Sequence, residues 1–290
     1  MLFRSQRNIG IYGSKIGEFD EISGDIRLIQ NIELIDQNPI GKSSRSNPVT
    51  YVKAYDDIRT LFARQKASKL HGFEAKHFSF NVDGGRCDAC KGEGVITIEM
   101  QFMADVELEC ETCHGNRFKK EILEVKYHGK NISDILHMTI DEAVEFFQKH
   151  NETKIVEKIL PLQETGLGYV QLGQSSNTLS GGEAQRIKLA SFLTKGQNRN
   201  RSLFIFDEPS TGLHFHDVKK LLKAFRALIE IGHTVFVIEH HMDIIKAADW
   251  VIDIGPEGGK KGGTIVAQGT PEQIIRVRES YTGQFLADKL

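Results

Sequence analysis

From about residue 202 onward, short apolar runs alternate with stretches in which apolar residues recur every three or four positions. The short runs predict buried strands at Ser202–Phe206, Thr234–Ile238, Trp250–Ile254 and Gly263–Gln268. Between the first two, residues 218–231 have helical spacing, with apolar side chains at Val218, Leu221, Leu222, Phe225, Leu228 and Ile229. Because strands alternate with a helix here, the pattern predicts an α/β fold with a parallel sheet.

Other patterns occupy the rest of the chain. Helical spacing is present at 133–150 and 155–165, and shorter helices are expected at 242–248 and from Thr270, where Pro271 takes the first helical position. Between Phe80 and Lys126, glycine-rich turns and short alternating stretches predict a small β module.

Length and composition set broad limits. A chain of 290 residues is long enough for more than one domain, and its net charge of −2 identifies no partner. There is no run of the roughly 18 apolar residues that a membrane span needs, and the first residues have no secretory signal pattern. We therefore expect a cytoplasmic protein without a membrane partner.

The four cysteines form two CxxC pairs, Cys87 with Cys90 and Cys110 with Cys113. Each pair can place two thiolates on one ion, and the spacer is long enough for a hairpin that brings the pairs together. This spacing predicts a tetrahedral Zn²⁺ site, with His114 as a turn residue and no open position for chemistry. A redox CxxC and buried free thiols are the alternatives, and two matched pairs disfavour both.

The zinc module does not have the charge of a DNA-binding finger, since Gly84 to His128 contain nine acidic residues and six lysines or arginines. A basic stretch lies earlier, between Gly41 and Gly72, and its candidate DNA-contacting residues are Lys42, Arg45, Arg59 and Lys66. Such a run is often only a solvated face, but a contact with phosphates is an equal possibility.

Two motifs carry the chemistry. Ser180, Gly181 and Gly182 lead directly into a predicted helix, whose first N–H groups and positive dipole end favour an anion. The predicted strand from Leu203 ends in the adjacent carboxylates Asp207 and Glu208. In this order and spacing they resemble the signature motif and the Walker B motif of an ABC-type ATPase. A phosphate-binding loop GxxxxGK[ST] is not found in the sequence, because Asp36 stands where the match ending in Gly41-Lys42-Ser43 requires glycine.

From about residue 22 to 280, the chain resembles the C-terminal ATPase half of the UvrA family, the damage-sensing ATPases of bacterial nucleotide excision repair, whereas residues 1–20 do not match. The resemblance rests on the cysteine pairs, the signature and the Walker B motif, together with the segments Ile35–Gly41, Arg45–Pro48, Phe78–Val82, Cys113–Gly115, Gly166–Tyr169, Ile238–His240 and Asp253–Gly259. A zinc module inserted between a Q-loop and an ABC signature is specific to this family.

The resemblance implies the role of each residue. Gln37 would be the Q-loop glutamine, and Asp207 would orient Mg²⁺. Glu208 would be the general base or the water-orienting carboxylate, and His240 would be the switch histidine. The nucleotide of another ATPase domain would be contacted by Ser180, Gly181, Gly182 and Gln185. The resemblance also implies ATP, Mg²⁺ and Zn²⁺ as cofactors, and damaged duplex DNA, UvrB and a second UvrA as partners.

The sequence thus predicts a partial ABC-type P-loop ATPase domain of the α/β class, with a helical signature subdomain and an inserted four-cysteine zinc module. We expect four segments: a partial ATPase lobe with the Q-loop and basic stretch (1–75), the zinc module (76–130), the signature subdomain (131–200), and the ATPase core with Walker B and the switch histidine (201–290). Without a phosphate-binding loop, the isolated chain is expected to be inactive. The alternatives are the ATP-binding subunit of a membrane transporter and a non-enzymatic zinc and nucleic-acid binding module.

Overall fold

The computed structural model describes residues 21, 23–41, 43, 45–98, 100, 106–194, 201–257 and 262–290. Lys42, Gly258 and Gly259, together with residues 1–20, lie outside the described residues. The described residues belong to two compact units, one drawn from Met1–Asp36 with Asn198–Leu290 and the other from Gln37–Gln197. The four predicted segments are not tested by this division and stay a prediction.

The strands and the α-helices are numbered separately along the chain. The strands are β1 (Asn31–Ile35), β2 (Val95–Ile98), β3 (Val106–Glu109), β4 (Ser202–Asp207), β5 (Thr234–Ile238), β6 (Val251–Gly255) and β7 (Thr264–Gly269). The helices are α1 (Pro48–Tyr51), α2 (Tyr55–Ala63), α3 (Lys66–His71), α4 (Lys120–Leu123), α5 (Ile132–His137), α6 (Ile140–Lys149), α7 (Thr153–Leu162), α8 (Gly181–Thr194), α9 (Phe215–Glu230), α10 (Met242–Ile245), α11 (Pro271–Ile274) and α12 (Tyr281–Ala287).

The first unit is built on a parallel sheet with the strand order β1-β4-β5. The central strand β4 is apolar from Leu203 to Phe206, because this part is covered on both faces, as parallel strands generally are. Helix α9 packs on it, with the rings of Phe225 and Phe206 centred 4.8 Å apart. The predicted helical face is largely confirmed, since Val218, Leu221, Phe225 and Leu228 are buried, whereas Ile229 is exposed.

The prediction of a parallel sheet is correct for only part of this unit. Strands β6 and β7 pair with each other in antiparallel orientation instead of extending the parallel sheet. The connection between them, residues 256–263, is shorter than the roughly one dozen residues that a parallel crossover needs, so a hairpin is the available geometry. Strand β1, which the apolar pattern did not predict, joins β4 in register from Asn31 opposite Ser202.

In the second unit, the predicted helical stretch 133–150 is two helices, α5 and α6. Met138 has an extended backbone and Thr139 is the N-cap of α6. The Thr139 hydroxyl accepts from the Glu142 N–H at 3.2 Å, and a Glu142 carboxylate oxygen accepts from the Thr139 N–H at 2.8 Å. This reciprocal cap starts a new helix where the apolar spacing alone suggested a continuous one.

The two helices, together with α2, α7 and α8, enclose one large apolar core, whose largest members include Phe62, Phe78, Phe80, Phe118 and Phe147. The predicted β module is the antiparallel hairpin of β2 and β3, in which Val95 lies opposite Glu109. No residue of either strand is buried, so the hairpin has little apolar core of its own. Among the helices of the described ranges, none combines the length and apolar character needed to cross a membrane.

Candidate nucleotide and metal sites

The four cysteines are buried and lie together, with all four sulfur atoms within 4.8 Å of one another. The Sγ atoms of Cys87 and Cys110 are 3.9 Å apart, and those of Cys90 and Cys113 are 3.6 Å apart. Tetrahedral Zn²⁺ with Zn–S bonds of about 2.3 Å places its sulfurs about 3.8 Å apart. These two distances match that spacing, and the remaining pairs lie within 4.8 Å, so the cluster fits a single zinc ion.

The knuckles around the sulfurs are held by backbone hydrogen bonds. The Cys87 N–H donates to the Arg117 carbonyl at 2.8 Å, and the Cys110 N–H donates to the Gly94 carbonyl at 3.0 Å. Gly92 has φ +87°, and an added Cβ would lie 2.1 Å from the Phe80 carbonyl oxygen, so the tight turn requires glycine there. His114 is a turn residue, as predicted, with its side chain 76% exposed.

The electrostatics of the thiols differ from one cysteine to the next. Burial raises the pKa of Cys113 and of Cys87. Burial acts in the same direction on Cys110, but the backbone N–H groups of Cys113 and Thr112 outweigh it and lower the pKa of Cys110 to about 7. A metal ion would bind thiolates, so its binding has to displace protons from this cluster.

The predicted Walker B carboxylates lie at the C-terminal end of β4. Glu208 follows directly after the strand with φ +47°, an unusual backbone for a residue other than glycine. Its carboxylate is 3.4 Å from Nε2 of His240, which follows the adjacent parallel strand β5. The sheet thus brings together Glu208 and His240, which are distant in the sequence.

Glu239 is a residue of this site to which the sequence analysis gave no role. One of its carboxylate oxygens accepts from the Ser210 N–H at 2.8 Å, and the other accepts from the N–H groups of His240 at 2.9 Å and His241 at 3.1 Å. It therefore ties the loop after β4 to the loop that carries His240. Its position between Ile238 and His240 was visible in the sequence, but only the fold shows what it binds.

In the second unit, Ser180 and the two glycines open helix α8. The Glu183 N–H donates to the Ser180 hydroxyl at 3.3 Å, and the Ser180 N–H donates to the Glu183 carboxylate at 2.7 Å, which is a capping box. A Cβ on Gly181 would lie 2.9 Å from Cβ of Gln37, so the glycine allows the Q-loop candidate to approach the signature turn. Three predicted site residues, Ser180, Gly181 and Gln37, therefore lie side by side.

The remaining predicted site residues are Gln185 and the four candidate DNA-contacting residues of the basic stretch. Gln185 is only 1% exposed, so a contact with nucleotide would have to be indirect in this conformation. Arg45 forms an ion pair with Glu93 at 3.4 Å, Arg59 pairs with Asp56, and Lys66 is exposed. Lys42 lies outside the described residues.

A parallel strand that ends in paired carboxylates, a histidine after the neighbouring strand and a Ser-Gly-Gly helix start define a segment of an ABC-type ATPase. No family model matches the chain. UvrABC system protein A of Clostridium perfringens is 54% identical over 270 residues, which are 93% of this chain and 28% of that protein. The protein of the same name from Aquifex aeolicus is 51% identical over 288 residues, 99% of this chain and 31% of its own length.

The same relationship is found among solved structures. The crystal structure of UvrA2 from Deinococcus radiodurans aligns with a TM-score of 0.84 and 45% identity, covering 92% of this chain and 32% of that one. Nearly the whole chain thus corresponds to one segment of UvrABC system protein A, and the resemblance to the UvrA family is confirmed. The chain spans only 28–31% of the length of these curated relatives.

Proposed function

We propose that this chain is the C-terminal ATPase segment of a cytoplasmic UvrA protein that works in bacterial nucleotide excision repair. In that role the whole protein would use ATP to control its hold on damaged duplex DNA and to load UvrB, and it would act as a UvrA homodimer. The observation that carries the proposal is the pairing of Glu208 with His240 at the ends of two adjacent parallel strands, in a chain that matches UvrA over nearly all its length.

The residues divide the work of phosphoryl transfer between them. Asp207 would hold Mg²⁺, which neutralises charge on the phosphates, and Glu208 would orient the attacking water, with His240 beside it near the terminal phosphate. Gln37 would act as the Q-loop glutamine. Ser180, Gly181 and Gly182, supported by Gln185, would contact a nucleotide held by another ATPase domain. Positioning and charge stabilisation supply most of the rate in this chemistry, so a phosphate-binding loop is also required.

The zinc module would be structural. Four buried thiols within 4.8 Å of one another fit Zn²⁺ bound by Cys87, Cys90, Cys110 and Cys113. DNA would be contacted through the basic stretch, with Lys66 as one of its exposed described members and Lys42 as its first lysine. Arg45 and Arg59 already pair with carboxylates, so they would contribute to DNA binding only by exchanging those partners.

The experiment that tests the ATPase proposal is Glu208→Gln in the intact protein that contains this segment. We expect the turnover number for ATP to fall by at least about 100-fold, the lower end for a lost general base, while ATP binding remains. Glu230→Gln, at the exposed end of α9, is the matched control. Normal turnover in the Glu208→Gln protein would overturn the proposal, as would full rescue of ultraviolet survival in a strain lacking UvrA.

The transporter alternative is not favoured, since the match to UvrA extends through the cysteine module. A non-enzymatic zinc and nucleic-acid binding module would predict that the intact protein binds DNA with no nucleotide turnover. The same turnover assay therefore distinguishes an ATPase segment from a non-enzymatic binding module.

A further inference from the structure

Tyr169 stands beside the signature turn and has no role in the functions described above. Its hydroxyl donates to a carboxylate oxygen of Glu183 at 2.7 Å, and the other oxygen of that carboxylate accepts from the Ser180 N–H at 2.7 Å. Both oxygens of Glu183 are therefore engaged, one by the residue it caps and one by a tyrosine from a different part of the chain.

The backbone around Tyr169 is fixed on both sides. The Asp141 N–H donates to the Gly168 carbonyl at 2.9 Å, and the Ile140 N–H donates to the Val170 carbonyl at 2.8 Å. These donors are the first residues of helix α6, so Tyr169 extends from a segment anchored on that helix. Its side chain is 59% exposed, and its hydroxyl connects this segment to the start of α8.

A positive charge lies beside the contact between Tyr169 and the Glu183 carboxylate. Arg186, which is only 3% exposed, approaches the Tyr169 hydroxyl oxygen with Nη2 at 3.5 Å. Partial burial raises the pKa of Glu183, but the hydrogen bonds from Tyr169 and Ser180 and the charge of Arg186 outweigh it, so the pKa lies below its usual range. Glu183 is therefore a carboxylate whose negative charge is held in the cap.

The position of that charge matters for an anion at the turn. The Ser180 hydroxyl oxygen accepts from the Glu183 N–H, and its proton can be donated either to the Glu183 carboxylate or to an anion at the turn. If the Glu183 carboxylate left the cap, it would compete for that proton and place a negative charge beside the phosphate site.

We propose that Tyr169 is a positioning residue for the signature turn: its hydroxyl holds Glu183 in the cap, so that Ser180 presents its proton to the terminal phosphate of a nucleoside triphosphate. This inference rests on the proposed ATPase function. It concerns the turnover of nucleotide held by another domain, and therefore affects kcat rather than the affinity of the phosphate-binding loop for ATP.

The test is Tyr169→Phe in the intact protein, which removes the hydroxyl and keeps the ring. We expect kcat for ATP to fall about three- to tenfold, as for one hydrogen bond of ordinary net strength, with KM unchanged. Tyr281→Phe, at a tyrosine with a similar exposed fraction of 58%, is the matched control and should leave both constants unchanged.

Glu183→Gln supplies the rescue. Glutamine keeps a capping oxygen but has no negative charge that could approach the phosphate. Tyr169→Phe should therefore have no further effect on kcat in the Glu183→Gln background. An unchanged kcat in Tyr169→Phe, or an equal loss with and without Glu183→Gln, would overturn the inference. Turnover that is insensitive to Glu208→Gln would instead refute the proposed ATPase function, so the two failures can be distinguished.

Discussion

Replacement of one proposed zinc ligand, Cys110→Ser, tests whether the hairpin of β2 and β3 depends on metal for its structure. Cys110 is fully buried in the cysteine cluster, directly after β3. A serine cannot supply a thiolate, so the variant would be left with three sulfur ligands. We expect loss of the bound zinc and local unfolding of the hairpin, with the helical core of the same unit intact.

The structure gives the magnitude of the effect. The two strands have four residues each, and fixing a residue in one backbone conformation costs about 1–2 kcal/mol, so ordering them costs about 8–16 kcal/mol. None of these residues is buried, so apolar burial offsets little of that cost, and an isolated two-stranded hairpin is marginal in water. A structural zinc site contributes about 10–16 kcal/mol, which is of the size required.

The assay is zinc stoichiometry by elemental analysis, combined with hydrogen exchange of the strand amides. Thr112→Ala, an exposed position between two of the ligands, is the matched control and should keep the metal. We expect exchange at Val95–Ile98 and Val106–Glu109 to become fast in Cys110→Ser, while the amides of α6 stay protected. One zinc per chain in the Cys110→Ser variant, or unchanged protection of the hairpin, would refute the reasoning.

Three further predictions concern other parts of the chain. The 290-residue chain alone should hydrolyse ATP no faster than its own Glu208→Gln variant in a steady-state assay, because the phosphates would lack a binding loop. Lys66→Glu in the intact protein should weaken DNA binding equally for unrelated sequences and flatten its salt dependence, as measured by titration at several salt concentrations. Thr139→Ala should lower the free energy of unfolding by about 1 kcal/mol in denaturant titrations, because it removes the N-cap of α6.

Each of these predictions has a contradicting result. Turnover by the isolated chain that disappears with Glu208→Gln would show that a complete site is present. An unaltered salt slope in Lys66→Glu, matching that of the exposed control Lys126→Glu, would remove the basic stretch from the DNA interface. A loss in Thr139→Ala no larger than in the exposed control Thr97→Ala would show that the cap is not stabilising.

The same cap predicts a pH dependence. Hydrogen bonds from the backbone N–H and the side chain of Thr139 lower the pKa of Glu142 in the folded state. Its stabilisation of α6 is therefore complete above the ordinary glutamate pKa and is lost as the pH falls through the lowered value. Thr139→Ala should accordingly reduce the loss of stability in that acidic range, which unfolding at a series of pH values would measure.

Much of the candidate site could be predicted because its signals are local. The cysteine pairs, the Ser-Gly-Gly helix start and the carboxylates that end β4 each depend on residues within a few positions of one another. The strand–helix alternation after residue 202 is equally local, and β4, α9 and β5 lie within a few residues of where the apolar pattern placed them. Short-range spacing fixes which side of a helix or strand a residue occupies.

The features that were missed depend either on local hydrogen bonds and loop lengths that an apolar pattern does not encode or on contacts between residues far apart in the chain. The apolar pattern runs on through Thr139, but the hydrogen bonds of the N-cap there start a new helix. The antiparallel pairing of β6 with β7 depends on the short connection between them. Glu239 and Tyr169 act through contacts with Ser210 and Glu183 that no periodicity encodes.

The sequence by itself therefore determined the class of protein, the four cysteines as a candidate metal-binding set and the order of the motifs, because composition and spacing carry that information directly. Only the tertiary structure decided which strands pair, which arginines of the basic stretch already have acidic partners, and which side chains hold Ser180 and His240 in place. Those outcomes depend on packing between distant segments, where one hydrogen bond or one short loop selects among arrangements that the local sequence leaves equally open.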